Sequence, residues 1–306
     1  MQGSCCTLAG APVAARGGSA CIGHPRCRGA RRAGDTGGAS SGSVAPKGEW
    51  HVLATAGLSG LRAVVTGSSG GIGRHIGLGL ARAGVDVVFN YKTNRDSAEA
   101  AVGEACAAGV RSLALEADCA CVAHVRRLVE RAADFLGGLD ILVNNVGEFA
   151  FKRLRDHTDA DFERILAGTV GTAFYATMAA LAHMRRGGFG RVVNLGAAGA
   201  DTAMGVRREG VHLAGKAAVV SLTRTFALEE ARGGITFNVV SPGIVEDRDL
   251  RREEAERLRD PGNPVGRPGT SADVVDAVLF LCRRESSFIN GAVIAVTGGW
   301  QGYLRC

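Results

Sequence analysis

Short β-branched runs alternate with helix-length segments along most of the chain, and no other feature narrows its fold as far. The runs occupy residues 63–65, 85–89, 112–115, 141–143, 191–194, 236–240 and 292–296, most of them separated by amphipathic stretches. Strands that are apolar throughout, each followed by a helical segment, belong to a parallel sheet buried on both faces. The predicted class is α/β: three layers, doubly wound, with a seven-stranded, mostly parallel sheet. In such a sheet a ligand sits at the carboxyl ends of the strands, near the point where strand order reverses.

The first run leads into Thr66-Gly67-Ser68-Ser69-Gly70-Gly71-Ile72-Gly73, and a helix is expected over 74–82. Glycine there permits a tight turn, lets backbone N–H groups approach a pyrophosphate and sets the positive end of a helix against it. A glycine run alone has the composition of any tight turn. Its strand-turn-helix setting is what points to a nucleotide.

Residues 1–58 read differently. They hold 12 of the 45 glycines and four of the nine cysteines, six basic residues against two acidic ones, and no sustained apolar period. A disordered, basic, Gly/Cys-rich extension is expected there, with the folded domain over 59–306. The extension carries four of the six net positive charges, so the sequence pI of about 9.0 belongs mainly to it, and no nucleic-acid partner is expected for the domain. Its Arg-rich, acid-poor composition suits an organelle transit peptide, a mis-assigned translation start or a plain disordered extension alike, and a cytoplasmic location is expected with organelle targeting left open. Cys21, His24 and Cys27 have metal-ligand chemistry but no fourth spaced ligand, so no metal site is expected. Cys106, Cys119, Cys121, Cys282 and Cys306 show no pairing pattern, as in a reducing compartment.

Residues 165–184 contain no Asp, Glu, Lys or Arg and are long enough to span a bilayer. Gly168, Thr169, Gly171, Thr172, Thr177 and His183 dilute that signal. The segment is read as a buried or intersubunit helix, and no membrane partner is expected.

Further motifs follow the glycine loop in order: Asp118 after the third strand, Asn144-Asn145-Val146-Gly147 after the fourth, Ser241-Pro242-Gly243 after the sixth, and Val296-Thr297-Gly298-Gly299-Trp300 at the end. Together with the T-G-x-x-x-G-I-G spacing they resemble the short-chain dehydrogenase/reductase family over 59–306, and its 3-oxoacyl-acyl-carrier-protein reductases most of all. The resemblance implies a Rossmann fold and an NAD(P)-dependent oxidoreductase that reduces a small carbonyl or acyl thioester. It also implies a homotetramer or dimer. Cofactor contacts are implied for Gly67, Ser69, Gly71, Ile72, Gly73, Lys92, Asp118, Asn145, Gly147, Lys216, Pro242 and Gly243. An acid after the second strand would select NAD; Asn90-Tyr91-Lys92 supplies none and offers a lysine, which favours NADP over NAD. Lys92 as a plain surface charge is the other reading.

The family's catalytic set is a Tyr-x-x-x-Lys pair, a Ser after the fifth strand and an Asn in the preceding long helix. Here only the lysine is kept, as Lys216. The phenol position is His212, the serine position is Ala197 and the asparagine position is Thr169. Tyr91, Tyr175 and Tyr303 are the only tyrosines, and none precedes a lysine by four residues, so no shifted alignment restores the pair. Two readings stand. In one, His212 replaces the phenol as general acid/base, with slow turnover because nothing polarises the substrate carbonyl. In the other, the domain binds dinucleotide without chemistry, as a regulatory or scaffolding subunit. A charged, helical lid over 245–268 is expected to face the substrate.

Overall fold

The computed structural model describes residues 57–245 and 249–300. The expected extension lies outside them apart from Gly57 and Leu58, and Leu58 is fully buried in the core.

All seven expected runs form strands: β1 (Arg62–Val65), β2 (Asp86–Tyr91), β3 (Ser112–Glu116), β4 (Ile141–Asn144), β5 (Gly190–Leu195), β6 (Ile235–Pro242) and β7 (Val293–Val296). They lie in the order β3-β2-β1-β4-β5-β6-β7, and every neighbouring pair is parallel, so the sheet is wholly rather than mostly parallel. The chain winds outward from β1 to β3 and then returns to β4 on the other side of β1. That reversal opens a crevice at the carboxyl ends of β1 and β4.

The helices are α1 (Gly71–Arg82), α2 (Arg95–Ala107), α3 (Val122–Leu136), α4 (Asp159–Leu166), α5 (Thr172–Gly187), α6 (Gly210–Glu230), α7 (Arg252–Ala255) and α8 (Ser271–Cys282). Successive strand residues face opposite sides. Val65, Phe89 and Val143 pack with Ile76, Ala101 and Val278 under α1, α2 and α8, while Val64, Val88 and Leu142 pack with Leu128, Ala180 and Ala227 under α3, α5 and α6. Both faces are therefore core, which is why the strands read as unbroken apolar runs.

Three expectations about helices change. The helix after the glycine loop starts at Gly71, not at 74, because the loop's own glycines form its first turn: Arg74 N–H bonds to the Gly70 carbonyl at 3.2 Å. The uncharged segment 165–184 is not one regular helix, since a π turn, Ala167–Gly171, separates α4 from α5. Taken together, Asp159–Gly187 is long and apolar enough to cross a membrane, and half of its most apolar stretch is buried inside the fold. The expected helical lid has one helical turn, α7; Pro261, Gly262, Pro264, Gly266 and Pro268 break the remainder into turns. Glu246, Asp247 and Arg248 of that segment lie outside the described residues. Cys106, Cys119, Cys121 and Cys282 are free thiols.

Candidate active site

The glycine loop is held from three strand ends. Gly67 adopts a left-handed φ of +59°, and its N–H donates to Asn90 Oδ1 at 2.9 Å. Asn90, buried at the end of β2, turns its Nδ2 to the carbonyls of Leu115 and Ala117, so it ties the loop to β3. From β4, Asn145 Nδ2 donates to the Thr66 and Gly67 carbonyls at 3.1 and 3.0 Å. A Cβ on Gly73 would fall 2.5 Å from Asn145 Nδ2 and 2.7 Å from the Gly67 carbonyl, which leaves room only for glycine. The Gly70 N-cap uses no side chain and the first turn of α1 carries no acid, so its N–H groups face the crevice uncapped and with no competing negative charge.

A cleft of about 620 Å³ runs from this loop across the ends of β1, β4, β5 and β6. Gly67, Ser69, Ile72, Lys92, Asn145, Gly147, Ala197, His212, Lys216, Pro242 and Gly243 line it, which brings together most of the residues singled out by sequence. Gly71, Gly73, Asp118 and Thr169 do not line it. Gly71 and Gly73 act through the loop's geometry. At one end Lys92 Nζ pairs with Asp118 Oδ2 at 2.8 Å, so neither is an isolated surface charge. The Lys92 ammonium holds the Asp118 carboxyl below its ordinary range, and the carboxylate in turn raises Lys92.

At the other end Lys216 is buried, and its Nζ donates to the Leu195 carbonyl at 2.6 Å. Burial pulls its pKa down to about 8. His212, one helical turn earlier, places Nδ1 2.7 Å from the Glu148 carbonyl. Burial lowers the imidazole pKa, the Glu148 hydrogen bond opposes that shift, and the nearby Lys216 adds to it. The ring meets the edge of Phe149, with centroids 5.1 Å apart. Thr169 is in the π turn, outside the cleft: its Oγ1 accepts from the Glu148 N–H at 3.2 Å and donates to the Glu148 carbonyl at 3.4 Å. Among the described residues the serine position is Ala197, which contributes only a methyl group to the lining.

Sequence reasoning passed over Asn90, Glu148 and Phe149. Asn90 and Glu148 act through nonlocal backbone contacts that no spacing reveals. Phe149 had a visible signal, because it and Phe151 follow directly on the Asn-Asn-Val-Gly motif in a chain with only 5% aromatic residues. Among the described residues no cluster of His, Cys, Asp and Glu could hold a metal ion. The glycine cradle, the uncapped helix and a cleft lined from the glycine loop to Pro242 and Gly243 fit a dinucleotide.

A sequence model described as Enoyl-(Acyl carrier protein) reductase matches residues 67–301. The chain is 32% identical over 257 residues to the hydroxynaphthalene reductase-like protein Arp2 of Metarhizium anisopliae, covering 79% of this chain and 95% of that one. Among solved structures it is similar to a short chain dehydrogenase from Burkholderia cenocepacia in complex with NADP, at 35% identity and a TM-score of 0.70, covering 79% and 98% of the two chains. It is also similar to the acetoin dehydrogenase YohF from Salmonella typhimurium, at 28% identity and a TM-score of 0.73, covering 78% and 95%.

Proposed function

The chain belongs to the short-chain dehydrogenase/reductase family of NAD(P)-dependent oxidoreductases, and from that premise we propose that it interconverts a small carbonyl compound and its alcohol, with His212 exchanging the proton in place of a phenol. One observation carries the reading: His212 and Lys216 line one cleft together with Pro242, Gly243 and the glycine loop. A bound nicotinamide supplies or accepts the hydride there. The loop, braced by Asn145, and the start of α1 would hold the pyrophosphate, and Lys216 would hold the nicotinamide ribose. Lys92, with no acid at the end of β2, favours the 2′-phosphate of NADP, and the Burkholderia relative's structure contains NADP.

A 3-oxoacyl thioester or a compact ketone suits the cleft, and two relatives, a hydroxynaphthalene reductase-like protein and an acetoin dehydrogenase, fit a carbonyl/alcohol pair by name. The free thiols suit a reducing compartment. Phe174 and Met178 on α5 and Leu228 on α6 are exposed, and a twofold dimer or tetramer would cover them. Size-exclusion with light scattering checks this, and a clean monomer overturns it.

Ala197 favours a second reading, a dinucleotide-binding subunit without chemistry, because nothing beside it polarises a carbonyl. Titration of NADPH and NADH by fluorescence, followed by assay of acetoacetyl thioesters, simple ketones and the corresponding alcohols in both directions, separates the two. Binding with no turnover on any substrate establishes the second. No binding of either cofactor overturns both.

A further inference from the structure

A carbonyl oxygen can only accept, so the 2.7 Å contact between His212 Nδ1 and Glu148 means that Nδ1 carries a hydrogen. The uncharged ring then has its lone pair on Nε2. That atom has no hydrogen-bond partner among the described residues and is not sealed off, and the side chain lines the cleft. We propose that this end of the cleft is built to receive an alcohol: the Glu148 carbonyl fixes the hydrogen on His212 Nδ1, Nε2 is the base that takes the substrate's hydroxyl proton, and Thr169 positions that carbonyl. This rests on the oxidoreductase reading and gives it a direction.

In the step, the alcohol O–H bond breaks with its proton passing to Nε2. The carbinol C–H bond breaks with its hydride passing to oxidised cofactor, and a carbonyl forms. Imidazolium then releases one proton to solvent, so the products are carbonyl compound, reduced cofactor and a proton. The reverse reaction needs an imidazolium, since the uncharged ring has no hydrogen on Nε2 to give. The groups around the ring do not favour that ion. Lys216 on the same helix is cationic or neutral, the Glu148 carboxylate is committed to Arg164 at 2.6 Å, Arg208 lies over Phe151, and Glu209, one turn before His212, is itself pushed toward its neutral form by burial.

Thr169 reaches His212 only through Glu148. Its hydroxyl bonds both the N–H and the carbonyl of that residue, and the π turn brings it there. It is a positioning residue.

The full chain, labelled with ¹⁵N-histidine, is examined by long-range ¹H–¹⁵N correlation at pH 8, with His212→Gln identifying the signal. The hydrogen is expected on Nδ1, and a hydrogen on Nε2 overturns the inference. In parallel, NADP and NADPH affinities are measured by fluorescence, and both directions are assayed with 1-tetralol and 1-tetralone as the probe pair. Oxidation kcat/KM is expected to fall about tenfold per unit of pH below the imidazole pKa and to be level above it, while reduction rises as pH falls. Thr169→Val is expected to give both tautomer signals and an oxidation kcat about tenfold lower, with cofactor affinity unchanged within twofold, and Thr169→Ser to restore both. A Thr169→Val protein with wild-type spectrum and kcat overturns the positioning role. Cofactor binding with no turnover in either direction overturns the oxidoreductase reading and this inference with it, whereas turnover with an Nε2–H ring overturns this inference alone.

Discussion

Lys216 donates to the Leu195 carbonyl at 2.6 Å from a position where burial holds its pKa near 8, well below the ordinary 10.5. Between these values the unfolded chain keeps a proton that the folded chain has released. The unfolded state therefore binds more protons, and stability rises with pH across that window. The cost of burying the ammonium is fully present below pH 8 and is relieved toward pH 10.5; it is on the order of 3 kcal/mol. Lys216→Met, similar in length and unable to titrate, is the reference. Denaturant unfolding at pH 7, 8.5 and 10 should show wild type gaining on the variant as pH rises, and a constant difference would refute the buried-charge account.

Lys92 and Asp118 form an ion pair, so a 2′-phosphate would share one ammonium with a carboxylate. The pair is largely exposed, which keeps its worth small. Lys92→Gln is expected to raise the NADPH Kd about three- to tenfold and to leave the NADH Kd within twofold. The NADPH preference of wild type should shrink in high salt. Fluorescence titrations at two ionic strengths check both. Equal losses for the two cofactors would mean that Lys92 does not meet the 2′-phosphate.

Sheet class, strand positions and the glycine loop were legible in the sequence because they follow from local patterns: a buried parallel strand must be apolar throughout, and a turn under a pyrophosphate must be glycine. The supports of the site were not legible. Asn90 reads in the sequence only as a residue that is not an acid, yet it bonds two separate segments, Gly67 in the glycine loop and Leu115 and Ala117 at the end of β3. Glu148 contributes a backbone carbonyl, which any residue possesses. Thr169 reads as a lost asparagine until the π turn places its hydroxyl on Glu148. The charged segment after β6 misled for a related reason: its Arg and Glu content suggests a helix, but the spacing of its prolines and glycines decides the backbone.

Gly73 packs against both a backbone carbonyl and a side-chain amide. A methyl there meets the Gly67 carbonyl, which is backbone and cannot swing away, as well as the amide of Asn145. Gly73→Ala is expected to cost about 1–3 kcal/mol and to weaken cofactor binding more than tenfold, because the loop must shift away from α1. Thermal unfolding with and without NADPH measures both effects. A variant that keeps the full NADPH-induced stabilisation would show that the loop does not cradle the pyrophosphate.

Ala197 contributes a methyl group to the cleft that His212 and Lys216 also line. A hydroxyl at that position would donate to a carbonyl oxygen, a contact that strengthens as charge develops on that oxygen in the transition state. Such a bond is commonly worth a factor of tenfold or more in rate. Ala197→Ser is therefore expected to raise kcat for reduction of 1-tetralone about tenfold, with KM changing less than threefold. His212→Tyr combined with it should exceed the product of the two single changes, because hydroxyl and phenol act on the same oxygen and such sets are not additive. Steady-state kinetics of the two single variants and the double variant give the coupling directly. Unchanged rates in Ala197→Ser would mean that the substrate oxygen does not lie beside residue 197.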